Sequence, residues 1–254
     1  MPAIDPTQRF SSRVDQYTKY RPGYPPEIVE LLRAQCGLTP SSVIADVASG
    51  TGLFTKLLLE NGNEVYGVEP NAEMRKAGEE YVGVYSRFHS VAGKAEATGL
   101  PDQSMDLVTA AQAAHWFDRD AARREFLRIL KPAGWTVLVW NERCTDSTPF
   151  LRAYEELLLR YGTDYAEVRH ERTTATLHTF FAPKPFESRV FDYRQAFDYE
   201  GLAGRLLSSS YTPAPGEPNH EPMLRELRKV FDTYQKSGKV EFDYKTRVYF
   251  GRLA

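Results

Sequence analysis

The stretch that most restricts how this chain can fold is Val43-Ile44-Ala45-Asp46-Val47-Ala48-Ser49-Gly50-Thr51-Gly52, continued by Leu53-Phe54-Thr55-Lys56-Leu57-Leu58-Leu59. An apolar run ending in an acid, then a small-residue turn with two glycines, then an amphipathic run, is how a buried strand enters a helix in an open α/β sheet. Such a turn lets a ligand approach the backbone closely, and the next helix begins with N–H groups that have no partner inside it. A ligand-binding loop is expected here. The rest of the chain must say which ligand.

The alternation continues downstream. Thr51 to Glu60 carries Leu53, Leu57 and Leu58 at helical spacing and stops at Asn61-Gly62-Asn63. Glu64 to Glu69 reads as a second strand ending in an acid, and Pro70-Asn71 start another helix. Phe88 to Ala92 reads as a third strand, Gly93 to Asp102 as a loop, and Met105 to Ala110 as a fourth strand. Asp118 is placed to cap a helix running to Leu130, before Lys131-Pro132-Ala133-Gly134 turns the chain. Trp135 to Trp140 is a fifth strand, apolar almost throughout and so buried on both faces. Ahead of all this, Pro25 and Pro26 open a helix through Cys36 that Gly37 ends. The pattern predicts an α/β fold, a doubly wound, Rossmann-like, mostly parallel sheet.

Later segments are less regular. Phe150 to Arg160 predicts a helix with Leu151, Tyr154, Leu157 and Leu158 on its apolar side, and Tyr161 to Pro185 is irregular. A strand from Phe186 to Phe197, helices from Glu200 to Leu207 and Glu221 to Lys236, and a final, antiparallel strand from Val240 to Phe250 follow. The expected organisation is one domain over 1–254: an N-terminal lid (1–26), a cofactor-binding half (40–141), a cap insertion (145–185) and C-terminal strands and helices (186–254). Within the lid, Phe10, Val14 and Tyr17 share one helical face before Pro22, and a packed N-terminal arm is the other reading of that segment.

Composition narrows the function. A net charge of −2 gives no electrostatic footprint for nucleic acid. Two cysteines, Cys36 and Cys144, cannot make a disulfide framework or a zinc site, and His89, His170, His178 and His220 lack ligand spacing, so no metal is expected. Residues 1–10 carry no secretory signal and no run of 18 apolar residues occurs, which predicts a cytoplasmic protein with no membrane partner.

Glu69 lies 23 positions after Asp46, the interval a strand, turn, helix and second strand require, and an acid there can accept from both ribose hydroxyls of a nucleotide. A dinucleotide site wants Gly-x-Gly-x-x-Gly, yet Gly50-Thr51-Gly52 is followed by Leu53, Phe54 and Thr55. Asp46 would repel a phosphate and suits an ammonium. A zwitterionic nucleoside fits better than a pyrophosphate, which disfavours a nicotinamide-dependent reductase.

The run Asp46-Val-Ala-Ser-Gly50-Thr-Gly52, then Val68-Glu69-Pro70-Asn71-Ala-Glu-Met74, then Ala95-Glu96-x-x-x-Leu100-Pro101, then Met105-Asp106-Leu107-Val108, resembles the successive motifs of class I S-adenosylmethionine-dependent methyltransferases over about residues 40 to 141. Tyr17-x-x-Tyr20-Arg21-Pro22-x-Tyr24-Pro25 and Ala114-His115-Trp116 look like the small-molecule branch that includes relatives of trans-aconitate methyltransferase. The resemblance implies S-adenosylmethionine as cofactor. It implies Gly50 and Gly52 against the methionine part, Asp46 near its amino group, Glu69 on the ribose, Met74 against adenine, and Ala95 and Glu96 at the adenine edge. Tyr20 and Arg21 of the lid are assigned to the cofactor too, with Arg21 facing its carboxylate. Gln112 either contacts the cofactor or ends its strand. The chain departs from the family at Ala48, where Gly is common, and at Lys94, where Asp is common. The turn is therefore tighter beside Ala48, and the adenine contact falls to Glu96 or the backbone.

The resemblance implies methyl transfer to a small-molecule acceptor by in-line displacement, where holding donor and acceptor in line contributes roughly 7 to 11 kcal/mol. A carboxylate acceptor is anionic and needs no base. A phenol, hydroxyl or amine would need one, and His115, just past the fourth strand, stands where a base would sit; a structural histidine packed with Trp116 is the competing reading. A carboxylate would need cationic partners, for which Arg13, Arg21, Arg143, Arg169 and Arg172 lie in suitable segments. Tyr17, His115, Trp116 and Arg143 are the substrate-side candidates. The alternative is a non-catalytic protein that keeps the cofactor fold for binding or interaction.

Overall fold

A computed structural model describes residues 20–165 and 180–254. Arg13, Tyr17, Arg169, His170, Arg172 and His178, with the helix expected around Phe10 to Tyr17, lie outside the described residues.

In chain order the elements are α1 (Glu27–Cys36), β1 (Val43–Val47), α2 (Leu53–Glu60), β2 (Glu64–Val68), α3 (Ala72–Val82), β3 (Phe88–Val91), β4 (Met105–Ala111), a 3-10 turn (Ala114–Trp116), α4 (Arg119–Ile129), β5 (Leu130–Arg143), α5 (Pro149–Tyr161), β6 (Phe186–Phe197), α6 (Tyr199–Leu207), α7 (His220–Tyr234) and β7 (Val240–Gly251). Among the described residues the sheet has seven strands, in the order β3-β2-β1-β4-β5-β7-β6. The first five run parallel. β7 inserts between β5 and β6 and runs antiparallel to both, so the final strand is antiparallel as expected.

Local chemistry sets the helix ends. Gly37 takes φ +68° and closes α1, a backbone state glycine enters without penalty. Asn71 accepts the N–H groups of Glu73 and Met74 to start α3, and Asp118 accepts that of Ala121 to start α4. β7 alternates strictly, with Val240, Phe242, Tyr244, Thr246 and Val248 buried between more exposed neighbours, while β6, an edge strand, carries Glu187, Arg189, Asp192 and Arg194.

One expectation is corrected. Lys131 to Gly134 is not a turn that precedes the fifth strand; it is a bulge inside β5. Met105 pairs with Leu130 and Leu107 with Trp135, so two steps along β4 face five along β5. Pro132 has no N–H for the ladder. Gly134 closes the bulge because a Cβ there would lie 2.7 Å from the Leu130 side chain and 3.1 Å from the Asp106 carbonyl. Asp106 pins the bulge, accepting from Lys131 Nζ at 2.8 Å and from the Val43 N–H at 2.8 Å.

Three apolar clusters hold the layers. On one face Ala122, Phe126 and Ile129 of α4 pack on Val108, Ala110, Leu138 and Trp140. On the other, Ile28 and Leu32 of α1 and Phe54 and Leu58 of α2 cover Ile44, Val137, Val139 and Val248. The third joins α5, α6 and α7 through Leu151, Tyr154, Leu158, Leu202, Leu206, Met223 and Leu227, and packs on Phe242 and Tyr244 of β7. This helical layer stands beyond the carboxyl end of β5, where open parallel sheets bind their ligands.

Candidate functional site

The turn after β1 enters the left-handed region at alternate positions: Ala48 at φ +56°, Gly50 at +57° and Gly52 at +83°. Two of those positions are glycine. The third, Ala48, holds a conformation that disfavours its Cβ. Close packing accounts for the glycines as well, because a Cβ on Gly52 would meet Val82 at 3.2 Å and one on Gly50 would meet the Met74 methyl at 3.3 Å. Gly78 of α3 completes the fit, since its Cβ would lie 3.1 Å from the Gly50 carbonyl oxygen.

Glu69 clamps this turn. Its Oε2 accepts the Gly50 N–H and its Oε1 accepts the Asn71 N–H, each at 2.9 Å. The carboxylate is buried, which raises its pKa, while those two N–H donors and Arg75 pull it back down. Each oxygen keeps lone-pair capacity for a further donor.

Asp46, at the end of β1, is 1 % exposed and accepts the hydroxyls of Thr55 at 2.6 Å and Thr109 at 2.8 Å. Burial pushes its pKa up to about 6 against the pull of those hydroxyls. Thr55 comes from the first turn of α2, and Thr109 is the β4 residue directly across the ladder from Asp46. Sequence reasoning missed both threonines. Thr55 lay on the helix already recognised, whereas Thr109 needed the strand register.

Asp46, Ala48, Thr51, Phe54, Ala111 and Tyr24 border a cleft beside this turn, at the carboxyl ends of β1 and β4. The expected nucleoside is tested by the donor set. The cleft offers an acid for an ammonium, close-approach backbone, and Thr51 Oγ1, a buried hydroxyl with no hydrogen-bond partner among the described residues. These fit an amino-acid-bearing nucleoside. Tyr24, absent from the sequence-based site, meets Phe54 edge-on at 4.9 Å.

The adenine-side candidates stand in two places. Met74 is buried against the turn at Gly50, and Ala95 is buried at the tip of a small bridge closed by Lys94 and Ala97. Glu96 accepts the N–H of Asp118 at 2.9 Å, tying that tip to the start of α4.

On the acceptor side, Gln112 sits just past β4 with φ +58°; its N–H donates to the Val139 carbonyl at 2.8 Å and its Nε2 to the Asn141 carbonyl at 3.1 Å. Asn141 in turn donates to the Gly23 carbonyl at 2.8 Å and accepts from Thr246 at 2.6 Å, which ties the segment carrying Tyr24 to the sheet. His115 and Trp116 are exposed on the 3-10 turn, with their rings 4.7 Å apart. Arg143, at the end of β5, is 10 % exposed, pairs with Glu155, donates to Tyr165 Oη at 2.9 Å and lies 5.2 Å over the Tyr154 ring. Its Nη1 has no partner among the described residues. Tyr20 and Arg21 reach α6: the Tyr20 ring packs on Gly204, its hydroxyl donates to Glu200 at 3.1 Å, and Arg21 Nη2 donates to the Ser208 carbonyl at 3.0 Å.

The structure thus brings Asp46, Ala48, Gly50, Gly52, Glu69 and Met74 together at the first turn. Gln112 and Arg143 stand along the same strand edge, Ala95 and Glu96 beside α4, and Tyr20 and Arg21 on the helical layer. Arg205, buried in that layer, had no signal in the sequence beyond being one arginine in a helix. Among the described residues no group of three His, Cys, Asp or Glu side chains is placed to hold a metal, and no helix is long and apolar enough to cross a membrane.

Comparison with known proteins agrees with this geometry. Residues 45–138 match a family described as a methyltransferase domain. An uncharacterised methyltransferase-like protein of Schizosaccharomyces pombe is 34 % identical over 247 residues, covering 94 % of this chain and 93 % of its own. An uncharacterised methyltransferase of Mycobacterium tuberculosis is 35 % identical over 248 residues, covering 95 % and 94 %. Among solved structures, a provisionally named type II methyltransferase of Anaeromyxobacter dehalogenans superimposes with a TM-score of 0.67 at 22 % identity over 92 % of this chain and 98 % of its own, which speaks to fold. The chain therefore belongs to the methyltransferase family, as a class I S-adenosylmethionine-dependent methyltransferase.

Proposed function

We propose that the methyl acceptor is a small molecule bearing a carboxylate, methylated on oxygen by in-line displacement. The observation that carries this reading is Arg143: a guanidinium at the carboxyl end of β5, 10 % exposed, with Nη1 lacking a partner among the described residues. A planar fork in a low-dielectric site is the side chain best suited to orient a carboxylate.

The cofactor supplies a methyl group already activated on positive sulfur. In this reading the protein positions and excludes water. Asp46 receives the ammonium of the methionine part, and Gly50 and Gly52 let that part lie against the backbone, with Ala48 shaping the turn. Glu69 accepts from the ribose hydroxyls with the lone pairs its two N–H partners leave. Met74, Ala95 and Glu96 bound the adenine. Gln112, held by β5, separates donor from acceptor, and Tyr20 and Arg21 bring the chain onto the helical layer. His115 and Trp116 form a wall of the acceptor space. No base is required, because a carboxylate is already ionised at neutral pH.

The test is methyl transfer from labelled S-adenosylmethionine into a fractionated metabolite extract. A small labelled product that mild alkali hydrolyses to release label, as a methyl ester does, is the expected result. Label that survives alkali in an ether or amine overturns the carboxylate, and label confined to protein or nucleic acid overturns the small molecule.

A further inference from the structure

Residues 20–26 cross the carboxyl edge of the sheet, from the helical layer to the cofactor cleft. At one end the Tyr20 hydroxyl donates to Glu200 of α6, and Arg21 donates to the Ser208 carbonyl just past it. At the other end Tyr24 borders the cleft beside the turn after β1 and meets Phe54 of α2 edge-on. Pro22, Pro25 and Pro26 fix φ along this strap and take N–H groups out of it, so its course rests on the few peptide groups that remain. Gly23 supplies the central ones. Its carbonyl accepts from Asn141 Nδ2 at 2.8 Å, and its N–H donates to the Tyr193 hydroxyl. In the strand order β5-β7-β6, Asn141 lies on β5 and Tyr193 on β6, so one residue of the strap is held from both sides of β7.

Asn141 is buried, and its partners allow its amide one orientation. The Gly23 carbonyl can only accept, so it takes Nδ2, and Oδ1 is left to accept the Thr246 hydroxyl at 2.6 Å. Thr246 is itself buried and stands directly across from Asn141 in the β5–β7 ladder. The main-chain carbonyl of Asn141 accepts Gln112 Nε2 at 3.1 Å, while the Gln112 N–H is held by the Val139 carbonyl two positions earlier. Gln112 sits at φ +58°, a backbone state that persists where the surroundings fix it. Asn141 therefore holds the strap with its side chain and the residue after β4 with its backbone.

We propose that Asn141 is a positioning residue for methyl transfer: held by Thr246, its amide fixes the Gly23 carbonyl and thereby seats Tyr24 as a wall of the cofactor cleft. The inference goes beyond the acceptor reading above and does not depend on it, because it concerns how the cleft for the methyl donor is built. Pin and wall are one peptide apart. The Gly23 carbonyl belongs to the planar group that carries the Tyr24 N–H, so Asn141 sets the plane from which the Tyr24 backbone departs. Pro25 confines Tyr24 to extended backbone on the other side, and the ring is thereby directed onto Phe54. Aspartate could not do the same work, since its oxygens would face the Gly23 carbonyl oxygen where Nδ2 now donates. A wall seated in advance leaves less to be ordered when the cofactor binds, which is how one residue raises affinity through another.

The experiment is a double-mutant cycle on S-adenosylhomocysteine affinity, measured by calorimetry on the full chain at a temperature where every variant is folded. N141A and Y24A should each weaken binding by roughly threefold or more. Because Asn141 acts through Tyr24, N141A should cost less than half as much, in log Kd, in the Y24A background as in wild type. N141D should bind no better than N141A, and T246V, which frees the amide to turn, should lie between N141A and wild type. Hydrogen exchange of the ligand-free chain gives an independent readout: N141A should speed exchange over residues 20–27 and leave α4 unchanged. A smaller loss of affinity in either single variant overturns the proposal, as does an N141A cost that persists in the Y24A background. A lower melting temperature with affinity and exchange at 20–27 unchanged would likewise overturn it and leave Asn141 a structural residue. If N141A fails to fold, T246V takes its place in the cycle under the same criteria. An ether or amine product in the extract assay would remove the carboxylate acceptor and leave this proposal standing; an additive cycle together with an ester product would do the reverse.

Discussion

Glu69 and Gly50 are joined across the cofactor turn by a 2.9 Å hydrogen bond, and the second oxygen of the same carboxylate holds the Asn71 N–H that leads into α3. One side chain therefore sets the distance between the turn after β1 and the helix after β2. A residue expected to act only on ribose is also the brace of the turn that holds the methionine part.

Glu69→Ala should consequently do two things. Two buried N–H groups lose their acceptor, costing about 1–3 kcal/mol each when unsatisfied, so the melting temperature should fall. S-adenosylhomocysteine affinity should fall at least tenfold, measured by calorimetry below the new melting range. Glu69→Gln keeps an acceptor for one of the two N–H groups and should lie between. Affinity unchanged in both variants would exclude Glu69 from the site.

Ala48 makes the opposite prediction. At φ +56° it occupies a region that costs an L-residue about 1–2 kcal/mol. Glycine avoids that cost, although its freer unfolded chain returns about 0.5–1 kcal/mol. Ala48→Gly should therefore stabilise the chain by roughly 0.5–1 kcal/mol in urea unfolding without weakening the cofactor. A destabilised glycine variant would mean that the alanine methyl packs against something worth more than the strain.

Asp46 links the site to pH. Its folded pKa, about 6, is raised above the ordinary 3.8, so the ligand-free fold binds this proton more tightly than the unfolded chain does. The stability it contributes is fully present below pH 3.8 and is lost as pH rises to about 6. Asp46→Asn abolishes that titration. At neutral pH the variant should exceed wild type in stability, by up to about 3 kcal/mol from the size of the shift, with the difference shrinking toward pH 4. An ammonium bound beside Asp46 favours the carboxylate, so cofactor binding should expel a proton and tighten about tenfold between pH 5 and 7. Calorimetry in buffers of different ionisation enthalpy counts that proton. A flat profile would place the ammonium elsewhere.

Legibility in the sequence followed the range of the interactions. Strands β1 to β4, the caps at Asn71 and Asp118 and the two acids were readable because hydrophobic period, capping and strand-end position are local. Lys131 to Gly134 was misread as a turn because Pro-Ala-Gly chemistry serves a turn and a bulge equally, and only the pairing of Leu107 with Trp135 separates them. The positive φ of Ala48 had a faint trace, an alanine where such turns usually carry glycine. Thr109 and Asn141 had none. Their roles arise from partners 63 and 105 positions away, Asp46 and Thr246, through cross-strand registers that no spacing in the sequence encodes.

His115 separates the two kinds of acceptor chemistry. The residue is exposed on the 3-10 turn after β4, its ring 4.7 Å from that of Trp116, and Trp116 shares that exposure. If the acceptor were a hydroxyl or an amine, removing a base would cost about 10²- to 10⁴-fold in kcat, and the pH profile would lose a limb near the imidazole range. A carboxylate has no proton to give up. With such an acceptor His115→Gln should lower kcat less than that, and the loss should fall mainly on KM, because the side chain then only bounds the acceptor space beside Trp116. At saturating cofactor, the pH profile of His115→Gln should keep every limb that wild type shows. A fall in kcat of a hundredfold or more in His115→Gln, accompanied by loss of an acid limb that wild type shows near pH 6.5, would make His115 the base and the acceptor a protonated group.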